Sequence, residues 1–105
     1  MPRAIFYTPA ALRDLDATFA WLSQPGAGER ARRRMAHIRS GIDALAEHPC
    51  LFAVGPHPGR REFSSEGYRI IYRVVPDTGL NETAGNVQVL RIFGPGQSRN
   101  PRDAG

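Results

Sequence analysis

Arginine is the residue type in this sequence best suited to chemistry, because it supplies every cation. All 14 basic residues are Arg and none is Lys, against 10 acidic residues, so the net charge is +4. A guanidinium stays protonated and binds phosphate or carboxylate through paired hydrogen bonds. The sequence therefore predicts an anionic partner, either nucleic acid or an acidic protein, and excludes lysine Schiff-base chemistry. A general compositional preference for Arg explains the same counts equally well.

One group of arginines falls in segments with the pattern of β-strands. In Tyr68–Val75, Arg69 and Arg73 share one face, whereas Tyr68, Ile70, Tyr72 and Val74 share the other. The arginines that such a sheet gathers are Arg60 or Arg61, Arg69, Arg73 and Arg91. They predict a cationic surface that suits phosphate or carboxylate. The alternative is that each side chain lies at the exposed face or pairs with a neighbouring glutamate such as Glu62.

A second group of arginines flanks the strongest helical pattern of the chain. The apolar stripe of this helix consists of Ala31, Met35, Ile38, Ile42 and Leu45. The arginines outside the stripe are Arg30, Arg32, Arg33, Arg34 and Arg39. They form either a solvated helix face or a docking surface for an acidic or amphipathic segment. Trp21 lies off the stripe of the preceding helix and either packs under the sheet edge or marks a partner-binding spot.

Other chemistry is not indicated by the sequence. Cys50 is the single cysteine and cannot form an internal disulfide, and the three His residues show no metal-ligand spacing with it. Phosphate-binding, dinucleotide-binding and hydrolase motifs are absent, so we expect no cofactor and no metal. The start of the sequence lacks the apolar run of a secretory signal, and no stretch has the length of a membrane span. We therefore expect a cytoplasmic protein with a reduced thiol and no membrane contact.

The elements that must position these residues follow from periodicity and from Pro and Gly breakers. We predict a strand over 3–7, helices over Pro9–Ser23 and Glu29–His48, and strands over Arg60–Ser65, Tyr68–Val75 and Asn86–Phe93. The stripe predicted to face the core on the first helix is Leu12, Leu15, Phe19 and Leu22. The expected fold is a single α+β domain over 1–105 of order β-α-α-β-β-β, with a small antiparallel sheet packed against an antiparallel helical hairpin. A flexible tail is expected from about residue 95, where breakers cluster.

Four stretches in this order resemble the RelE/ParE superfamily of bacterial type II toxin–antitoxin toxins, and most of all its ParE branch. They are Tyr7–Asp16 with Trp21-Leu22, Ile42–Pro49, Arg60–Phe63 with Tyr68–Val74, and Val89–Phe93. The resemblance covers about residues 3 to 99. The fold of that superfamily agrees with the order of elements predicted above.

The resemblance implies a toxin held inactive by a cognate antitoxin, whose C-terminal segment wraps the toxin and whose other half contacts operator DNA. The residues assigned to antitoxin binding are Trp21, Arg30, Arg34, Met35 and Arg39. Those assigned to binding the cellular target are Arg60, Arg61, Arg69, Arg73, Arg91 and Arg99.

The resemblance leaves two main classes of target open. ParE-like members inhibit DNA gyrase by binding, whereas RelE-like members cleave mRNA on the translating ribosome and need general acid–base groups. No His or Tyr follows Tyr72 in this sequence, and Arg is a poor proton donor. We therefore assign no catalytic residue and favour inhibition of gyrase or another topoisomerase. If the chain is a nuclease, Arg61, Arg73 and Arg91 are its candidate cations; a third alternative is a member without toxicity that only binds its antitoxin.

Overall fold

The computed structural model describes residues 3–94, which form two helices and a four-stranded sheet. The elements are β1 (Ile5–Tyr7), α1 (Pro9–Leu22), α2 (Gly28–Asp43), β2 (Arg61–Ser65), β3 (Tyr68–Val75) and β4 (Asn86–Phe93). The α+β class and the order of elements are as predicted, and β3 and β4 have the predicted bounds. The tail expected from about residue 95 lies outside the described residues. No helix within 3–94 has the length and apolarity needed to cross a bilayer.

Both helices begin near the predicted positions, but α2 ends earlier than predicted. Thr8 caps α1, since its hydroxyl accepts a hydrogen bond from Ala11 N at 3.1 Å, and Pro9 occupies the first turn. The α-helical part of α2 ends at Asp43, and a 3₁₀ turn over Ala44–Ala46 replaces the last predicted turn. Pro49 limits how far the helical segment can extend, because the residue before a proline disfavours the α conformation, and a 3₁₀ turn is a common end of an α-helix.

The sheet is mixed, which corrects the prediction of a purely antiparallel one. Its strand order is β1-β4-β3-β2. β2 pairs antiparallel with β3, β3 pairs antiparallel with β4, and β1 pairs parallel with β4. In a three-stranded meander the first and last strands run in the same direction. After the helical hairpin and the loop over 47–60, β2 runs in the same direction as β1. Since β4 also runs in the direction of β2, β1 pairs with β4 in parallel, at the edge of the sheet opposite β2.

The two faces of the sheet differ as the alternation of β3 predicts. Tyr68, Ile70, Tyr72 and Val74 are buried in the core beneath the helices, together with Val87, Val89 and Ile92 of β4. We call the opposite face, which carries Arg69, Ile71 and Arg73 of β3, the open face. From α2 and the turn after it, Ala31, Ile38, Ile42 and Leu45 are buried as predicted, and Met35 is half-buried against this core.

The face of α1 that packs on the sheet matches the predicted stripe in part. Leu22 is buried and Leu15 packs against the core as predicted, whereas Leu12 is 47% exposed and the other buried residues are Ala11 and Thr18. The helix can turn polar residues inward because they find partners there. The Thr18 hydroxyl donates to Asp14 O at 2.8 Å, and the Asp14 carboxylate accepts from Ile92 N at 2.9 Å.

Candidate functional site

Three of the predicted target-binding arginines share the open face. Arg69 and Arg73 alternate along β3, and the pairing register places Arg91 of β4 opposite Ile71. The register shifts between Ile71 and Tyr72, so that β4 has an extra residue at this point. Leu90 is this extra residue, and Arg91 shares the face of Ile71.

Each of these three arginines is anchored by a neighbour. Arg69 Nη2 donates to Glu62 Oε1 at 2.6 Å, which is the pairing that the sequence suggested as an alternative. Arg73 Nε donates to Gln88 Oε1 at 2.6 Å while the side chain stays exposed. Arg91 Nε donates to Asp14 Oδ2 at 2.8 Å, and its Cζ lies 4.7 Å from the centre of the Phe93 ring. The anchors limit the rotamers of these side chains, which lowers the entropy cost of binding an anion.

Arg60 contributes to a small cavity of 160 Å³ that lies against this face. Its lining residues are Pro56, His57, Arg60, Glu62, Arg69, Ile71 and Phe93. The structure therefore brings Arg60 and Arg69 together, with an apolar floor beneath two guanidinium groups.

Arg61 is placed apart from the other predicted target-binding residues. It pairs with Tyr72 on the core face of the sheet and is only 7% exposed. Its guanidinium donates from Nε and Nη2 to the two Asp77 carboxylate oxygens at 2.8 and 2.9 Å, and from Nη1 to Phe52 O at 2.6 Å. The hydrogen bonds from Arg61 hold the pKa of Asp77 below its usual range, and the same pair raises the pKa of Arg61. Arg61 thereby links the loop that contains Phe52 and the loop that contains Asp77 to β2.

Tyr72 is the last tyrosine of the chain and is fully buried beside that pair. Its hydroxyl donates to Pro49 O at 2.9 Å, and burial raises the pKa of Tyr72 to about 12. A phenol of such a high pKa stays protonated at neutral pH and is unsuited to act as a general base.

The residues predicted to bind an antitoxin are distributed over three neighbouring places on the helical hairpin. Trp21 and Arg34 line one cleft of 480 Å³, which we call the hairpin cleft. Its lining residues are Asp14, Ala17, Thr18, Trp21, Arg34, Tyr68 and Gly94. Arg30 and Arg34 line an adjacent cavity with Glu66. Met35 lines a groove next to the link between the helices, and Arg39 lies over Phe19 with its Cζ 5.7 Å from the ring centre.

Sequence reasoning missed the residues that build the hairpin cleft around Trp21 and Arg34. Asp14, Ala17, Thr18 and Trp21 have the spacing i, i+3, i+4 and i+7, so they lie on one face of α1. The spacing can be read from the sequence, but these four residues differ in polarity and therefore do not form an apolar stripe. Tyr68 closes the cleft from the start of β3.

Arg99, the last of the residues predicted to bind the target, lies outside the described residues. Within 3–94 no group of three or more His, Cys, Asp and Glu side chains is arranged to hold a metal ion, and Cys50 is a free, partly buried thiol.

Comparison with protein families decides the relationship. Residues 5–97 match the family model described as the ParE toxin of the type II toxin–antitoxin system parDE. The chain belongs to the ParE toxin family. It is therefore a ParE-type toxin of a type II toxin–antitoxin system, as the resemblance implied.

The fold of this family member agrees with a solved structure. A chromosomal ParDE toxin–antitoxin system from P. aeruginosa contains a chain that superposes with a TM-score of 0.64 at 22% sequence identity. The superposition covers 89% of this chain and 96% of that chain. A search of curated protein sequences finds no significant match.

Proposed function

We propose that this ParE-type toxin inhibits DNA gyrase, or another topoisomerase, by binding it through the arginines of the open face. A cognate antitoxin neutralises the toxin at the helical hairpin and carries the complex to operator DNA. We place these binding events in the cytoplasm.

The observation that carries the proposal is the alignment of Arg69, Arg73 and Arg91 on one open face of the sheet. Arg69 and Arg73 each use part of their five donors on an anchor within the chain, and Arg91 is held against Asp14. The remaining donors of Arg69 and Arg73 suit carboxylates or phosphates of a larger partner, and arginine is enriched where such interfaces are strongest.

The surroundings of Arg61 and Tyr72 support binding over RNA cleavage. The nuclease alternative would use Arg61, Arg73 and Arg91 together, but Arg61 lies on the core face and uses three of its five donors on Asp77 and Phe52. Tyr72 is buried with a raised pKa. An inhibitor that acts by binding needs no proton transfer, so these placements are compatible with it.

The test of the target is a supercoiling assay with purified gyrase and purified toxin. We expect inhibition by the wild-type chain, and an inhibitory concentration about three- to tenfold higher for Arg73→Gln, because partly exposed interfacial charges contribute modestly. Arg13→Gln is the matched control, since Arg13 is an exposed arginine of α1 away from the open face. Unchanged supercoiling at micromolar excess of toxin contradicts the gyrase target.

The test of neutralisation is coexpression with the short reading frame adjacent to this gene. Expression of the toxin alone is expected to arrest growth, and coexpression is expected to restore it. Normal growth with the toxin alone, at confirmed expression of folded protein, contradicts the assignment of an active toxin.

A further inference from the structure

We propose that the hairpin cleft binds a peptide segment that presents a large apolar side chain next to a carboxylate. The proposal rests on the proposed neutralisation by an antitoxin, and it specifies which chemistry the antitoxin must bring to this cleft. The apolar side chain packs between Trp21 and Tyr68, and the carboxylate binds Arg34.

Trp21 supplies the apolar half of the site. Its side chain is 64% exposed at the mouth of the cleft, although it is the only tryptophan of the chain. Ala17 of the same helix and the buried ring of Tyr68 continue this apolar lining inward. An exposed aromatic side chain beside a concave surface is the arrangement that gives an interface its anchor, because covering it removes a large apolar area from water.

Arg34 supplies the ionic half and is held in place before any partner binds. Its Nη2 donates to Glu66 O at 2.9 Å, and its Cζ lies 5.7 Å from the centre of the Tyr68 ring. Within residues 3–94 no carboxylate oxygen lies within 4.0 Å of this guanidinium. Its remaining donors therefore suit a carboxylate from another molecule.

The turn between β2 and β3 fixes the position of Arg34. Glu66 and Gly67 both have positive φ, at 54° and 80°, as a tight hairpin turn requires. The Glu66 carboxylate meets His37 Nδ1 at 2.6 Å, one turn after Arg34 on α2. Glu66 thus connects to α2 twice, and the guanidinium is preorganised at the rim of the cleft.

Charge decides in favour of an acidic segment. Arg30 lines the adjacent cavity together with Arg34 on α2, and the two guanidinium groups attract negative charge to this side of the molecule. The single acidic group of the cleft, Asp14, is engaged by Arg91 and by Ile92 N. A peptide fits better than a nucleic-acid strand, because the cleft itself offers one guanidinium among aromatic and methyl groups rather than a row of cations.

The first experiment uses the antitoxin that restores growth in coexpression, with Trp21 as the intrinsic fluorophore. On binding we expect a blue shift of Trp21 emission and protection from acrylamide quenching. Arg34→Gln is expected to weaken antitoxin affinity about tenfold or more, since the partner carboxylate is left without its donor, and Arg34→Lys is expected to restore part of it. The matched control, Arg33→Gln on the same helix, is expected to change affinity by less than about twofold. An antitoxin that neutralises the toxin while Trp21 stays open to acrylamide, or equal effects of Arg34→Gln and Arg33→Gln, overturns the proposal and leaves the proposed function standing.

The second experiment does not depend on the antitoxin. Random 12-residue peptides on phage are selected on the purified chain, and the enriched peptides are expected to combine an acidic residue with a neighbouring large apolar residue. These peptides should lose binding to Trp21→Ser and to Arg34→Gln, with the fold of both variants checked by circular dichroism. Enriched peptides that bind both variants like the wild type, or a 12-nucleotide single-stranded DNA that protects Trp21 better than they do, overturn the proposal. Failure of coexpression to restore growth rejects the proposed neutralisation and leaves this result unaffected.

Discussion

Arg61 and Arg73 are the same residue type on neighbouring strands, yet their surroundings give them different roles. Arg61 is buried and makes three hydrogen bonds to Asp77 and Phe52, whereas Arg73 is exposed and makes one to Gln88. The sequence placed both among the candidate target-binding residues. The difference arises from side-chain alternation in β2, which turns Arg61 toward the core.

The Arg61–Asp77 pair leads to a prediction about stability. Arg61→Met should lower the free energy of unfolding by about 2–4 kcal/mol, because the Asp77 carboxylate and the Phe52 carbonyl lose the guanidinium donors of Arg61. Arg60→Met, at a partly exposed neighbouring position, should change it by no more than about 0.5 kcal/mol. Urea unfolding of the three proteins measures both differences, and equal losses in the two variants would contradict a special role for Arg61.

The pKa of Asp77 predicts how this contribution depends on pH. Its pKa is lowered in the folded state, so the contribution is present above the unfolded value of about 4 and is lost as pH falls through the folded pKa. Wild type should therefore be more stable than Asp77→Asn at neutral pH, with the gap closing in acid. Urea unfolding at a series of pH values from 7 to about 2 measures this gap, and a gap independent of pH would count against the pairing.

At the scale of elements, α1 completes the edge of the sheet that β1 leaves unpaired. β1 pairs only with Val87, Gln88 and Val89 of β4. Beyond it, Thr8 Oγ1 donates to Leu90 O at 2.9 Å and Asp14 accepts from Ile92 N. The helix thus satisfies the backbone of a strand edge, which is otherwise a site for unwanted pairing.

Asp14 therefore has a structural contribution that its sequence position on a helix does not suggest. Asp14→Ala should lower the free energy of unfolding by about 2–3 kcal/mol, because Ile92 N and Arg91 both lose their acceptor. Asp14→Asn should lower it by only about 1 kcal/mol, since an amide oxygen still accepts from Ile92 N. Asp16→Asn, at an exposed position of the same helix, is the control. Thermal unfolding measures all three, and an Asp14→Ala variant as stable as the control would refute the role.

Gly85 precedes β4 at a position where backbone segments approach closely. A Cβ atom there would lie 2.0 Å from Val75 O. We expect Gly85→Ala to lower the free energy of unfolding by about 3 kcal/mol or to prevent folding, because backbone must move. At Gly55 the nearest atom to an added Cβ is the Glu62 Cδ at 3.4 Å, so Gly55→Ala is the control. Yields of soluble protein and urea unfolding compare the two, and similar stabilities would disprove the close approach.

The elements show which parts of the structure the sequence could predict. The bounds of β3 and β4 followed from runs of strand-forming residues between turns and Pro or Gly breakers, and the buried stripe of α2 followed from its 3.6-residue period. The parallel pairing of β1 was not predictable, because three residues carry no information about which edge they join. On the inward face of α1, Leu15 and Leu22 were predicted. Asp14 and Thr18 were missed because they are polar, and the hairpin cleft was missed with them.

At the scale of the whole molecule, the two arginine surfaces lie on different sides. The open face is turned away from the helices, whereas the hairpin cleft lies between α1, α2 and the starting end of β3. Asp14 touches both, because it lines the cleft and holds Arg91. A neutralising segment that reaches both surfaces must therefore pass around the edge of β4.

This separation predicts that the two proposed functions, gyrase inhibition and antitoxin binding, can be removed one at a time. Arg34→Gln should weaken the antitoxin complex and leave gyrase inhibition unchanged within about twofold, and Arg73→Gln should do the reverse, since distant sites act additively. Supercoiling assays and antitoxin titrations on the two variants and their combination measure this. A single variant that abolishes both activities while remaining folded would show that the surfaces act as one.

The central position of β4 has a consequence for how the toxin folds while it is being synthesised. β4 lies between β1 and β3 and is the last strand within residues 3–94, so that Ala4 N bonds to the Asn86 side chain 82 residues away. Contacts of such long range form late, because loop closure must precede them. Until β4 has left the ribosome, neither the open face nor the edge that α1 completes can form. A chain still being translated therefore lacks the arginine surface of the sheet until β4 has emerged.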